Sequence, residues 1–142
     1  MNAPLYNDAI LRLTTQVPDR RLDAPMASSE KRSPICGSRV TVDINLGSDG
    51  RVSEIGMLVR ACALGQASSA LLAASIIGRS PHELRTARDE LAAWLAGAGA
   101  QPGWPGIEVF LPALAYHARH PSIRLAFEAA AEAAERAGEV PR

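Results

Sequence analysis

RVTVDINLGSDGRVSEIGMLVR, residues 39–60, is the stretch on which the reading of the fold turns. In its first half Val40, Val42, Ile44 and Leu46 alternate with Arg39, Thr41, Asp43 and Asn45. Period two with β-branched residues is the mark of a half-buried strand. GSDG at 47–50 supplies a turn, and Ile55, Met57 and Val59 then share a face of a returning antiparallel strand. One face of such a hairpin needs an apolar cover.

The cover is expected downstream. ACALGQASSALLAASIIG (61–78) is small and apolar nearly all round, which suits a helix packed closely on a sheet, and Gly78 is a natural stop. In SPHELRTARDELAAWLAGAG (80–99), Ser80 is placed as an N-cap, Pro81 at the first helical position and Glu83 in a capping box. Leu84, Ala87, Leu91, Trp94 and Leu95 then repeat at helical spacing. Residues 96–106 read as a flexible loop, IEVFLPALAYHA (107–118) as a helix kinked or broken at Pro112, and 121–137 as a last helix.

Upstream, Leu5, Ala9, Ile10 and Leu13 predict a short amphipathic helix with Pro4 in its first turn. Residues 17–33, broken by Pro18 and Pro25, read as an irregular arm with one short edge strand around 22–27. The order implies an α+β fold: a small antiparallel sheet of two to three strands with helices packed on one face, in a single domain spanning 1–142.

Fifteen basic and fifteen acidic residues cancel without long blocks of either sign, so no nucleic-acid partner is expected. No leader pattern opens the chain and no apolar run is long enough to span a bilayer, so the expectation is a cytoplasmic protein without a membrane partner. There is no Ser/His/Asp triad spacing and no Gly-rich phosphate loop.

The chemistry-bearing residues are few. Cys36 precedes Gly37 in a turn that opens the first hairpin strand, and Cys62 stands where the second strand ends and a helix begins. A helix N-terminus favours negative charge, and Arg60 adds a cation nearby. Free cysteine is also among the most buried residue types, so a packing role stands beside the chemical one at both positions. His117 and His120 are three apart, a spacing that can set two metal ligands on one helix face, whereas His82 reads as a surface residue of a first turn.

Taken together, SPICGSRVTVDI (33–44), GSDGRVSEIGM (47–57), ACALGQASSALL (61–72) and IIGRSPHEL (76–84) resemble the iron–sulfur cluster scaffold family of the NifU N-terminal and IscU type. The match covers nearly the whole chain. The resemblance implies a three-stranded sheet packed by helices. It also implies a site in which three cysteines, and the aspartate that follows Cys-Gly, hold a nascent cluster or a zinc ion. Cys36 and Cys62 fall on the first two cysteines of that pattern. Ser38 stands in the aspartate's place, and in ARHPSIRLAFEA (118–129) Ser122 stands in that of the third cysteine; Val59 and Ala61 replace the glycines before the second.

Serine hydroxyls are poor ligands at neutral pH, whereas clusters and structural zinc usually take four soft or N/S donors. His120 or His117 is therefore the candidate third ligand beside Cys36 and Cys62. The function implied is that of an assembly scaffold, not an enzyme, holding a transient iron–sulfur cluster or zinc. Its expected partners are a cysteine desulfurase and apo-protein clients, with homo-oligomerisation left open. Two alternatives remain: a carrier similar to the SufE proteins, which accepts persulfide on Cys36, and a degenerate paralogue that holds no metal.

Overall fold

The structure, a computed structural model, describes residues 5–34 and 37–141. Cys36 lies outside the described residues, as does Pro4. The elements run α1 (Asp8–Thr14), β1 (Ala27–Arg32), β2 (Arg39–Leu46), β3 (Val52–Arg60), α2 (Ala63–Ser75), α3 (Pro81–Leu95), two 3₁₀ segments (Ile107–Ala113 and His117–Arg119) and α4 (His120–Glu139). The strands form one antiparallel sheet in the order β1-β2-β3. The fold is α+β, with the helices on one sheet face.

The hairpin of β2 and β3 forms as its alternation predicts. Val40 faces Val59, Val42 faces Met57 and Ile44 faces Ile55, all on the side that the helices cover. Gly47 and Gly50 close the turn, Gly50 at φ 77°, and the pairing shifts register between Asn45 and Leu46.

The helix that covers this face is α4, which packs across β1 and β2 and lies between them and helices α2 and α3. Ala126, Ala129, Ala130, Ala133, Ala134 and Ala137 are all fully buried. Side chains of one carbon let the helix axis approach the sheet and its helical neighbours together, and Phe127 and Ile123 fill what remains. Glu132 ties α4 to the edge strand: it accepts from Ser29 Oγ at 2.7 Å and pairs with Lys31 Nζ at 2.7 Å.

The other sheet face is not left to solvent. Thr41 and Asp43 are buried although they stand at the polar positions of the alternation, because the arm after α1 folds over them. Leu22 N–H donates to Asp43 Oδ2 at 3.0 Å and Met57 N–H donates to Arg20 O at 2.8 Å. Gly56 lies directly beneath this crossing: a Cβ there would stand 2.6 Å from Leu22 N and 3.0 Å from Arg20 O.

Several expectations shift. The edge strand exists but runs over Ala27–Arg32, because the residues from Arg20 to Asp23 are taken up in the arm. Helix α1 begins after Asn7, whose side chain accepts from Ile10 N–H. Residues 96–106 are anchored rather than loose: Trp104 is buried, its Nε1–H donates to Leu71 O at 2.9 Å, and its ring meets Phe127 edge-on. The segment around Pro112 is 3₁₀ instead of α-helical. Helix α3 has the expected cap, with Ser80 Oγ accepting from Glu83 N–H at 3.1 Å. No helix among the described residues is long and apolar enough to cross a membrane.

Candidate functional site

Cys62 is the N-cap residue of α2, with φ −65° and ψ 173°. Its carbonyl accepts the first intrahelical bond from Gln66 N–H at 2.9 Å, and its thiol makes no capping hydrogen bond, so the sulfur is left for other partners. The backbone before it is held by Gln66 Nε2, which donates to Ala61 O at 2.9 Å. The first turn of α2 carries no acidic residue, so its free amide groups present an unopposed positive end to the half-buried sulfur.

Ser122 is brought to this turn. It is buried near the start of α4, and a Cβ on Gly65 would lie 3.3 Å from Ser122 O and 3.8 Å from Ser122 Cβ. Gly65 thus permits the close crossing of the two helix starts, one turn beyond Cys62. The crossing is reinforced where Ser68 Oγ donates to Ile123 O at 2.6 Å. A sequence reading places Cys62 at a helix start but cannot supply this neighbour, which depends on the packing of α4 against α2.

His120 is buried, and its Nε2 lies 2.9 Å from Ala113 O. A carbonyl only accepts, so Nε2 carries a proton and Nδ1 is the ring nitrogen this bond leaves over. His117 is exposed and meets His120 edge-on, with ring centroids 5.0 Å apart and planes at 61°. The two rings meet, but through a 3₁₀ turn before α4 and not along a helix face. Arg60 engages Asp19 at 3.7 Å and the carbonyl of Val59, and not the thiol of Cys62.

The loop that carries Cys36 joins β1 to β2. Its ends are fastened by Ser33 N–H donating to Ser38 O at 2.8 Å and Gly37 N–H donating to Ser33 O at 3.1 Å. Gly37 adopts φ +71°, the left-handed conformation that only glycine takes readily. Ser38 is buried. Among the described residues no group of three or more His, Cys, Asp or Glu side chains is placed to hold a metal ion.

No protein-family model matches the chain, and no curated protein does. Solved structures do. The chain is 36% identical to a nitrogen-fixing NifU-like protein (N-terminal) from Brucella abortus, with a TM-score of 0.89 and 96% of each chain covered. It also shares its fold with a protein from Fervidobacterium islandicum AW-1 described as an iron–sulfur cluster assembly scaffold for the SUF system. That likeness has 18% identity and a TM-score of 0.83 over 92% of this chain and 96% of the other. Identity above one third over almost the full length of both chains is beyond a likeness of fold: the chain belongs to the NifU-like (N-terminal) family.

Proposed function

We propose that this protein is an iron–sulfur cluster assembly scaffold, in which Cys36 and Cys62 take up sulfur and iron as cargo and pass them on. The observation that carries this reading is Cys62 at an N-cap whose thiol makes no capping bond, in a member of the NifU-like family. Sulfur enters by exchange. The thiolate of Cys62 or Cys36 attacks the terminal sulfur of a persulfide on a cysteine desulfurase; the new S–S bond forms as the old one breaks, and the desulfurase cysteine leaves as thiolate.

The ligand chemistry argues for a labile cargo. Ser38 and Ser122 offer hydroxyls where soft donors are wanted, which leaves two thiolates and, through Nδ1, His120 as a third donor. A site short of ligands holds iron–sulfur or zinc weakly and leaves positions for a client's cysteines. On this reading the chain is an assembly protein and not an enzyme. A specific observation favours a second reading: the buried Ser122 beside α2 means that the first turn lacks the thiol a scaffold would have there. Such a protein would carry persulfide on Cys36 without metal.

Anaerobic reconstitution with iron, cysteine and a desulfurase separates the two. A visible chromophore that is lost in Cys62→Ser supports the scaffold. Persulfide confined to Cys36 by mass spectrometry, with no bound iron, supports the carrier. Neither product leaves a paralogue that keeps the fold alone.

A further inference from the structure

The register of the sheet places three arginines in one row. Arg39 of β2 faces Arg60 of β3 on one side and Arg32 of β1 on the other. Directly opposed residues share a sheet face, and neighbouring strands lie about 4.8 Å apart, so the row spans roughly 10 Å. It lies on the face opposite the helices, at the end of the sheet where the loop carrying Cys36 joins β1 to β2. Like charges opposite one another destabilise a sheet, and this sheet has two such pairs side by side.

Two exposed carboxylates, Glu30 and Asp19, stand against the three cations, so the fold neutralises the row only in part. Arg32 pairs with Glu30 and Arg60 with Asp19, but the two arginine side chains are 64% and 57% exposed, so these pairs are weak. Arg39 makes no ion pair among the described residues. The arm that covers Asp43 and Gly56 reaches the row only through Asp19, 3.7 Å from Arg60, since its backbone bond nearest the row is the one to Met57. All three arginines line an open groove of about 680 Å³ together with Ser33, Pro34 and Gly37. Ser33, next to Arg32, is buried, and its Oγ has no hydrogen-bond partner among the described residues. Three guanidinium groups along one open groove are the complement of a row of carboxylates.

We infer that the row of Arg32, Arg39 and Arg60 is a docking site for an acidic segment of a partner protein. Guanidinium forks take carboxylates two-pronged, and an incoming carboxylate replaces Glu30 or Asp19 like for like. A row of about 10 Å is longer than one small anion covers. The chain's net charge of zero gives no long-range attraction for a nucleic-acid backbone. The site lies next to Cys36 in the chain, where a protein delivering or collecting cargo has to dock. The inference stands without the cluster reading, because its probe carries no thiol.

The test uses a fluorescein-labelled hexaglutamate peptide, read by anisotropy at low salt and by amide chemical shifts. Binding that weakens with salt, shifts the Ser33 and Gly37 amides, and falls about two- to fivefold for each arginine replaced by threonine supports the site. Arg39→Thr is the decisive variant, since relief of like charge leaves its melting temperature at or above that of the parent while its affinity falls. Absence of binding, or binding unchanged in the Arg32→Thr/Arg39→Thr/Arg60→Thr triple variant, overturns it. So does displacement of the peptide by equimolar inorganic phosphate, or tighter binding of a single-stranded oligonucleotide.

Discussion

Arg21 and Asp43, 22 residues apart in the chain, form a two-point clasp: Arg21 Nε donates to Asp43 Oδ2 at 2.7 Å and Nη2 to Oδ1 at 2.9 Å. The carboxylate is fully buried and the guanidinium nearly half exposed. Ser28 Oγ and Leu22 N–H also donate to it, so the clasp fixes the arm onto the outer face of β2.

Asp43→Asn should cost about 2–3 kcal/mol. That is below the usual loss for breaking a buried pair, because the arginine left behind reaches water. Burial pushes the Asp43 carboxyl up, but the Arg21 and Ser28 bonds and the Leu22 amide outweigh it and hold it below its ordinary value. A carboxylate depressed in the folded state stabilises above its unfolded pKa of about 4, and the stabilisation is lost as pH falls through the folded value. Thermal melts should therefore show a gap between parent and variant that is full at pH 7 and closes below about pH 4. A gap independent of pH would refute the charge-based account.

Gly56→Ala should loosen the same arm by crowding it, with both charges of its ion pair still present. The new Cβ meets Leu22 N at 2.6 Å, Asp43 Oδ2 at 2.9 Å and Arg20 O at 3.0 Å, two of them backbone atoms that cannot swing aside. The expected cost is about 1–3 kcal/mol. Trypsin should cut after Arg20 and Arg21 faster in the variant than in the parent, while the helices keep their far-ultraviolet signal.

Trp104→Phe isolates one hydrogen bond. The ring's edge contact with Phe127 and its place under Arg79, 4.4 Å from the ring centroid, are largely kept, but Leu71 O loses its donor in a buried setting. A loss of about 1–3 kcal/mol is expected, against about 3–5 for Trp104→Ala, both read from urea midpoints.

The hairpin was legible because Val40, Val42, Ile44, Met57 and Val59 follow a period that a helix cannot satisfy. The capped start of α3 was legible because Ser80, Pro81 and Glu83 act on their own neighbours. What local pattern cannot carry is cover from a distant segment. Asp43 sits at a solvent position of the alternation, and only the arm's return makes it a buried anchor. Strand β1 is ASSEKR, with no strong strand formers, and pairs because β2 offers an edge. At the candidate site, Cys62 at a helix start followed from position in the chain. The bond from His120 to Ala113, the crossing at Gly65 and the arginine row depend on packing and register and have no signature within any one segment.

Ser122→Cys tests how the site came to be short of a ligand. Ser122 is buried against the first turn of α2, where Gly65 lets the two helix starts approach, and the substitution changes a single side-chain atom from oxygen to sulfur. The substitution puts a soft, ionisable donor where the parent has a hydroxyl, a poor ligand at neutral pH, on a residue packed against the start of α2. After anaerobic reconstitution and desalting, the variant should keep more iron and sulfide per chain than the parent, and Ser122→Ala should keep no more than the parent. Retention unchanged by the new thiol, in a variant whose melting temperature matches the parent, would mean that the crossing of α2 and α4 is a packing contact and that the cargo is held elsewhere.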